Sequence, residues 1–94
     1  MTELELLDVV RKLCKVRDMD WNPLQDSGDC ADLEEYMGIT VTFTTNAALA
    51  WHPDSTMHQI ELRMDHNGDR QSARRWASVR KAAELAARNG LEPS

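Results

Sequence analysis

Ile39-Thr-Val-Thr-Phe-Thr-Thr45 alternates, residue by residue, between apolar and hydroxyl side chains. β-Branched and aromatic residues at a period of two suit a pleated strand with one buried face, so this stretch places a sheet in the fold. Asn46 marks a turn. Ala47, Leu49 and Trp51 alternate on a second strand, which His52-Pro-Asp-Ser55 ends. A third strand is expected over residues 57–64, with His58, Ile60, Leu62 and Met64 on one face and Gln59, Glu61 and Arg63 on the other. Connections this short favour an antiparallel meander.

Helical signals flank the meander on both sides. Thr2-Glu-Leu-Glu5 has the capping-box form, and Leu6, Val10, Leu13, Cys14 and Arg17 follow at helical spacing, predicting a helix over residues 3–17. Pro23 turns the segment from Asp18 to Leu24 into a loop, because proline removes a donor and restricts the residue before it. A second helix starts at Asp26-Ser-Gly-Asp29, with Asp26 or Ser27 as the cap, and stops at Gly38. Beyond the sheet, Asp65-His-Asn-Gly-Asp69 is a break with Asp69 as cap. The alanine- and arginine-rich residues 70–89 then form the last helix, which Gly90 ends. Its expected core face is Ser72, Trp76, Val79, Ala83 and Ala86, and the opposite face carries Arg70, Arg74, Lys81 and Arg88. The expected fold is α+β in the order ααβββα: a single small globular domain over residues 1–94, with a three-stranded antiparallel sheet and the C-terminal helix on one face of it.

Composition narrows the function classes. Hydrophobic residues make up 41% and charged residues 29% of the 94, a globular composition with enough apolar surface for one modest core. No apolar run approaches the roughly 20 residues of a membrane span, and the acidic N-terminus is unlike a signal peptide. A cytoplasmic protein is the expectation. Cys14 and Cys30 have neither metal-ligand nor redox spacing and read as reduced thiols. The three histidines, His52, His58 and His66, offer no convergent ligand set, so no metal and no cofactor is expected. A glycine-rich phosphate loop and a serine elbow are both missing, and the chain reads as a non-enzyme.

Charge is the strongest functional lead. Residues 18–62 contain nine carboxylates and no lysine or arginine, whereas residues 63–94 hold seven bases against four acids. Such segregation bears on partners and association rates, not on fold. The candidate partner-binding residues are therefore Asp26, Asp29, Asp32, Glu34 and Glu35, with Trp21 and Tyr36 as apolar anchors. Carboxylates presented together imitate the phosphates of a nucleic acid and suit a basic groove. Capping and ordinary surface polarity explain the same acids more plainly. The rival surface is the stripe of Arg70, Arg74, Lys81 and Arg88, which could track the phosphates of a nucleic acid. The plainer account of that stripe is a solvated face, or one that pairs with the chain's own acids.

Two segments also resemble a family of small uncharacterised phage and prophage proteins: Trp21-Asn-Pro-Leu-Gln-Asp-Ser-Gly-Asp29, followed by Cys-Ala-Asp-Leu33, and the helix Ala73-Arg-Arg-Trp-Ala-Ser-Val-Arg-Lys-Ala-Ala-Glu-Leu85. The resemblance implies a phage or prophage origin and brings no catalytic residues. The resulting expectation is an accessory protein in the bacterial host cytoplasm that binds a basic protein or nucleoprotein. An inhibitor of a nucleic-acid-targeting defence, such as an anti-CRISPR protein, fits the acidic segment best.

Overall fold

The computed structural model describes residues 1–91. Three helices and three strands follow in the order α1 (Glu3–Cys14), α2 (Ser27–Met37), β1 (Thr40–Phe43), β2 (Ala47–His52), β3 (Ser55–Leu62) and α3 (Arg70–Arg88). This is the expected ααβββα arrangement. The strands pair as an antiparallel meander, with Thr42 opposite Leu49 and Leu49 opposite Ile60. Two short turns set that register. Thr44 Oγ1 accepts the amides of Asn46 (3.3 Å) and Ala47 (3.0 Å) in the first, and His52 Nδ1 accepts Asp54 N–H at 3.0 Å in the second.

Several boundaries differ from those expected. α1 stops at Cys14 instead of residue 17, because Lys15 takes a left-handed conformation (φ 57°) and closes the helix end. Its buried side chains are Leu6, Leu7, Val9 and Val10. β3 runs two residues earlier than residues 57–64. Arg63–His66 leaves the sheet as a single 3-10 turn, held by Arg63 Nε and Nη2 on Gly68 O and by Arg63 Nη1 on Thr45 O.

The packing of α3 is the main departure. This helix lies centrally, with the sheet on one side and α1 and α2 on others. It is buried around most of its circumference, including Ala73, Ala77, Ser78, Lys81, Ala82 and Leu85 outside the expected face. Alanines make this possible, since small side chains let neighbouring backbones approach closely at native packing density. Val79, Ala83 and Ala86 are buried as expected. Trp76 only half-buries, beside His66 (ring centroids 5.9 Å apart) and under the Arg80 guanidinium at 5.3 Å. No helix among the described residues is long and apolar enough to cross a membrane.

Candidate functional site

The segment that carries the acids is first of all a brace. Asn22 Oδ1 accepts the amides of Leu24 (3.0 Å) and Gln25 (3.2 Å), closing a turn around buried Pro23. Asp26 caps α2 by accepting Asp29 N–H at 2.9 Å, and Asp29 Oδ2 reaches back to Asn22 N–H at 2.9 Å. A side chain at Gly28 would place its Cβ 3.0 Å from Asp26 Oδ1, so the capping carboxylate would have to shift by a few tenths of an ångström to admit one. Arg11 closes the other flank, donating to Met19 O and Trp21 O. Trp21 packs half-buried against the core.

Glu34 is also committed internally. Its Oε1 accepts Arg74 Nη2 at 2.6 Å, and its Oε2 accepts Arg74 Nε at 3.1 Å and Ser78 Oγ at 2.5 Å. The Cys30 thiol lies 3.7 Å from the same oxygen. Burial first, and then the Glu34 charge, push this thiol up to about 12, so it stays protonated and unreactive at neutral pH. Arg74 in turn is held further toward its charged form, chiefly by its hydrogen bonds to Glu34.

The basic stripe proves to line the seam between α3, the sheet and α2. Arg70 stacks over the Phe43 ring at 4.0 Å. Arg74 pairs with Glu34. Lys81 is fully buried and donates to Met57 O and Glu84 Oε2, both at 2.6 Å. Arg88 Nη1 donates to Asp54 O at 2.8 Å. Arg75, which flanks the other side of the helix, donates to Leu24 O and Ser27 Oγ. The segment without bases therefore receives its cations from outside itself, from α3, from Arg11 of α1 and from Arg63 in the turn after β3.

What remains of the acidic candidates is Asp32 and Glu35, with Tyr36 beside them, 60% exposed. These three share the outer face of α2 by their helical spacing. Asp32, Tyr36 and Trp21 line a shallow groove of about 230 Å³ whose far wall is Cys14 and Val16, at the end of α1. Asp18 and Asp20 are exposed in the preceding loop, where Asp18 Oδ1 accepts Asp20 N–H.

Two further features come from the tertiary packing: a cleft that residue patterns did not indicate, and an open sheet face whose apolar residues the strand alternation had already grouped. Glu61, His66, Trp76, Arg80 and Asp65 line an open cleft of about 390 Å³. Within it His66 Nε2 lies 3.0 Å from Glu61 Oε1, Arg80 Nε lies 3.4 Å from Glu61 Oε2, and His66 Nδ1 contacts Ser72 Oγ at 3.3 Å. Ser72 Oγ and Glu61 Oε1 contact the two different nitrogens of the His66 ring, and the network ties the 3-10 turn to α3. No three histidine, cysteine or carboxylate side chains among the described residues converge as a metal site would require. The second feature is the outer face of the sheet, which carries Leu49, Trp51, Ile60 and Leu62 and on which none of the three helices packs.

Together the fold and these surfaces define a small α+β domain built on a central helix. No protein-family model, curated protein or solved structure matches the chain.

Proposed function

We propose that this chain is a non-enzymatic accessory protein of phage or prophage origin that binds a basic host protein through the outer face of α2. The observation that supports this reading is the division of labour among the acids. Asp26, Asp29 and Glu34 hold the fold together, while Asp32 and Glu35 point outward beside an exposed tyrosine and a groove, with Asp18 and Asp20 in the adjoining loop. Free carboxylates around an aromatic anchor combine long-range steering of a basic surface with a desolvated contact at its centre. A host protein whose basic groove normally takes nucleic acid, such as a CRISPR effector, is the partner class this surface suits best.

The test is capture from bacterial lysate on the tagged chain after nuclease digestion, compared with an Asp32→Lys/Glu35→Lys variant. A basic protein retained by the original chain, lost by the variant and released as salt shortens the Debye length is the expected result. Retention that survives the charge reversal would overturn the proposal. Retention abolished by nuclease would transfer the function to the exposed cations Arg70 and Arg88.

A further inference from the structure

We propose that the groove between α1 and the loop that follows it is a docking site for a short acidic peptide segment of a partner protein. One wall is the face of α1 from Leu4 to Lys15, and the other is the loop from Val16 to Met19, around a volume of about 720 Å³. Both walls are fixed by the fold. Lys15 takes its left-handed turn with Val16 N–H on Arg11 O at 2.9 Å, which reverses the chain beside the helix end. Arg11 then ties the loop down, donating to Met19 O at 2.9 Å and to Trp21 O at 2.7 and 3.1 Å. A groove held in this way costs its occupant little reorganisation.

Charge selects the occupant. Arg11, Lys12, Lys15 and Arg17 line the groove against one carboxylate, Asp8, which Lys12 meets at 3.0 Å. The partners of Arg11 are neutral carbonyls, which leave its charge uncompensated. Lys15 and Arg17 are exposed, and among the described residues no hydrogen bond or ion pair engages their side chains. Arg11 and Lys12, in the last turn, also serve the negative end of the helix dipole, but Arg17 lies beyond its reach. Leu4 (78% exposed) and Met19 (74%) add apolar surface to the walls. An occupant with apolar side chains beside its carboxylates therefore gains from both.

Acids bound the site and limit what fits. Glu3 and Glu5 stand at the start of α1, Asp18 and Asp20 in the loop, and Asp32 across Val16, which also lines the groove on the α2 side. From Leu4 to Lys15 the helix rises about 17 Å, the span of about five extended residues. A nucleic-acid duplex sets about ten charges along that length and runs on past it into those carboxylates. The groove has no aromatic lining residue on which single-stranded bases would stack. A bilayer surface is wider still and brings the same carboxylates against its own anionic headgroups. A segment of two or three acids flanked by apolar residues meets the cations and ends where the acids begin.

The experiment is fluorescence anisotropy of the full chain with a synthetic peptide, three glutamates between two pairs of leucines, carrying a neutral dye. Binding is expected at low salt with a Kd below about 500 μM. It is expected to weaken at least tenfold at about 0.5 M salt, because the cations are exposed and screening then acts within about 4 Å. The same loss is expected with glutamines in place of the glutamates, and with Lys15→Glu/Arg17→Glu in the protein. Arg17→Glu alone, outside the helix, is expected to weaken binding about threefold or more with the circular dichroism spectrum retained. A chain that leaves the acidic peptide unbound at about 500 μM overturns the proposal. So does binding that either charge change leaves intact, or tighter binding of a single-stranded oligonucleotide or of phosphatidylglycerol vesicles. Asp32→Lys/Glu35→Lys, which removes the α2 surface, is expected to bind the peptide no less tightly, so the two surfaces are separately readable.

Discussion

Replacing Glu34 by leucine removes the acceptor shared by Arg74 and Ser78, and the loss can be sized from the contacts it makes. Three hydrogen bonds disappear, two of them charge-assisted in both partners, from side chains that are 15% (Glu34) and 19% (Arg74) exposed. Breaking a fully buried ion pair costs about 3–5 kcal/mol, and access of water to both ends brings the expected loss to about 2–3 kcal/mol. A domain of this length has on the order of 5–14 kcal/mol of stability, so the variant still folds. With a urea slope of about 1 kcal/mol/M, its midpoint falls by about 2 M. Arg74→Met is expected to cost about 2 kcal/mol, less than the first change because Ser78 keeps its acceptor. The double variant should regain much of the sum, giving a coupling of about 1.5–2.5 kcal/mol in the cycle. Urea titrations of the four proteins, followed by tryptophan fluorescence and circular dichroism, measure it. If each single change costs under about 0.5 kcal/mol, or the coupling is that small, the pair is an ordinary surface contact. Glu34 and Arg74 would then return to the surfaces available for partners.

Other consequences can be measured on the same protein. Lys81→Met strips a fully buried ammonium from Met57 O and Glu84. It should cost about 3 kcal/mol and lower the melting temperature by roughly 10–20 °C, without changing any retention of nucleic acid. Gly38→Ala places a Cβ no closer than 3.9 Å to another atom, so its cost is that of a left-handed alanine at φ +72°, about 1 kcal/mol, read as a lower urea midpoint. Stability should also fall above pH 9. The Cys30 thiol stays protonated in the fold up to about 12 while an unfolded chain releases that proton near 9.0. The unfolded state therefore binds fewer protons through that window, and stability declines with rising pH by up to about 1.4 kcal/mol per unit. Burial raises Cys14 to about 11, which adds loss of the same sign. Cys30→Ala should flatten the decline while lowering the plateau at neutral pH.

Period, caps and turns made the architecture legible. The alternation from Ile39, the capping box at Thr2–Glu5 and the cap at Asp26 all act within a few residues of themselves, and each appears in the structure. The end of α1 escaped because Arg17 continued the helical spacing, whereas the left-handed turn at Lys15, a residue with no special preference for it, decided the stop. The burial of α3 departs from its helical pattern for another reason. A helical wheel assumes one apolar side, and this helix has neighbours on most sides, with alanine compatible with all of them.

The sequence by itself determined the order of elements, the meander and the caps, because hydrogen bonding and side-chain period are local. It also determined that acids and bases occupy different segments. Only the tertiary structure decided which charges are free. Glu34 and Arg74 are forty residues apart and meet because α2 packs on α3. Lys81 meets the carbonyl of Met57 at the far end of β3. Ile60 and Leu62 are exposed because they alternate with the residues that face α3, and among the described residues no helix packs on their side of the sheet. A side chain's exposure and its partner are set by what the rest of the chain brings beside it, and that information resides in the packing.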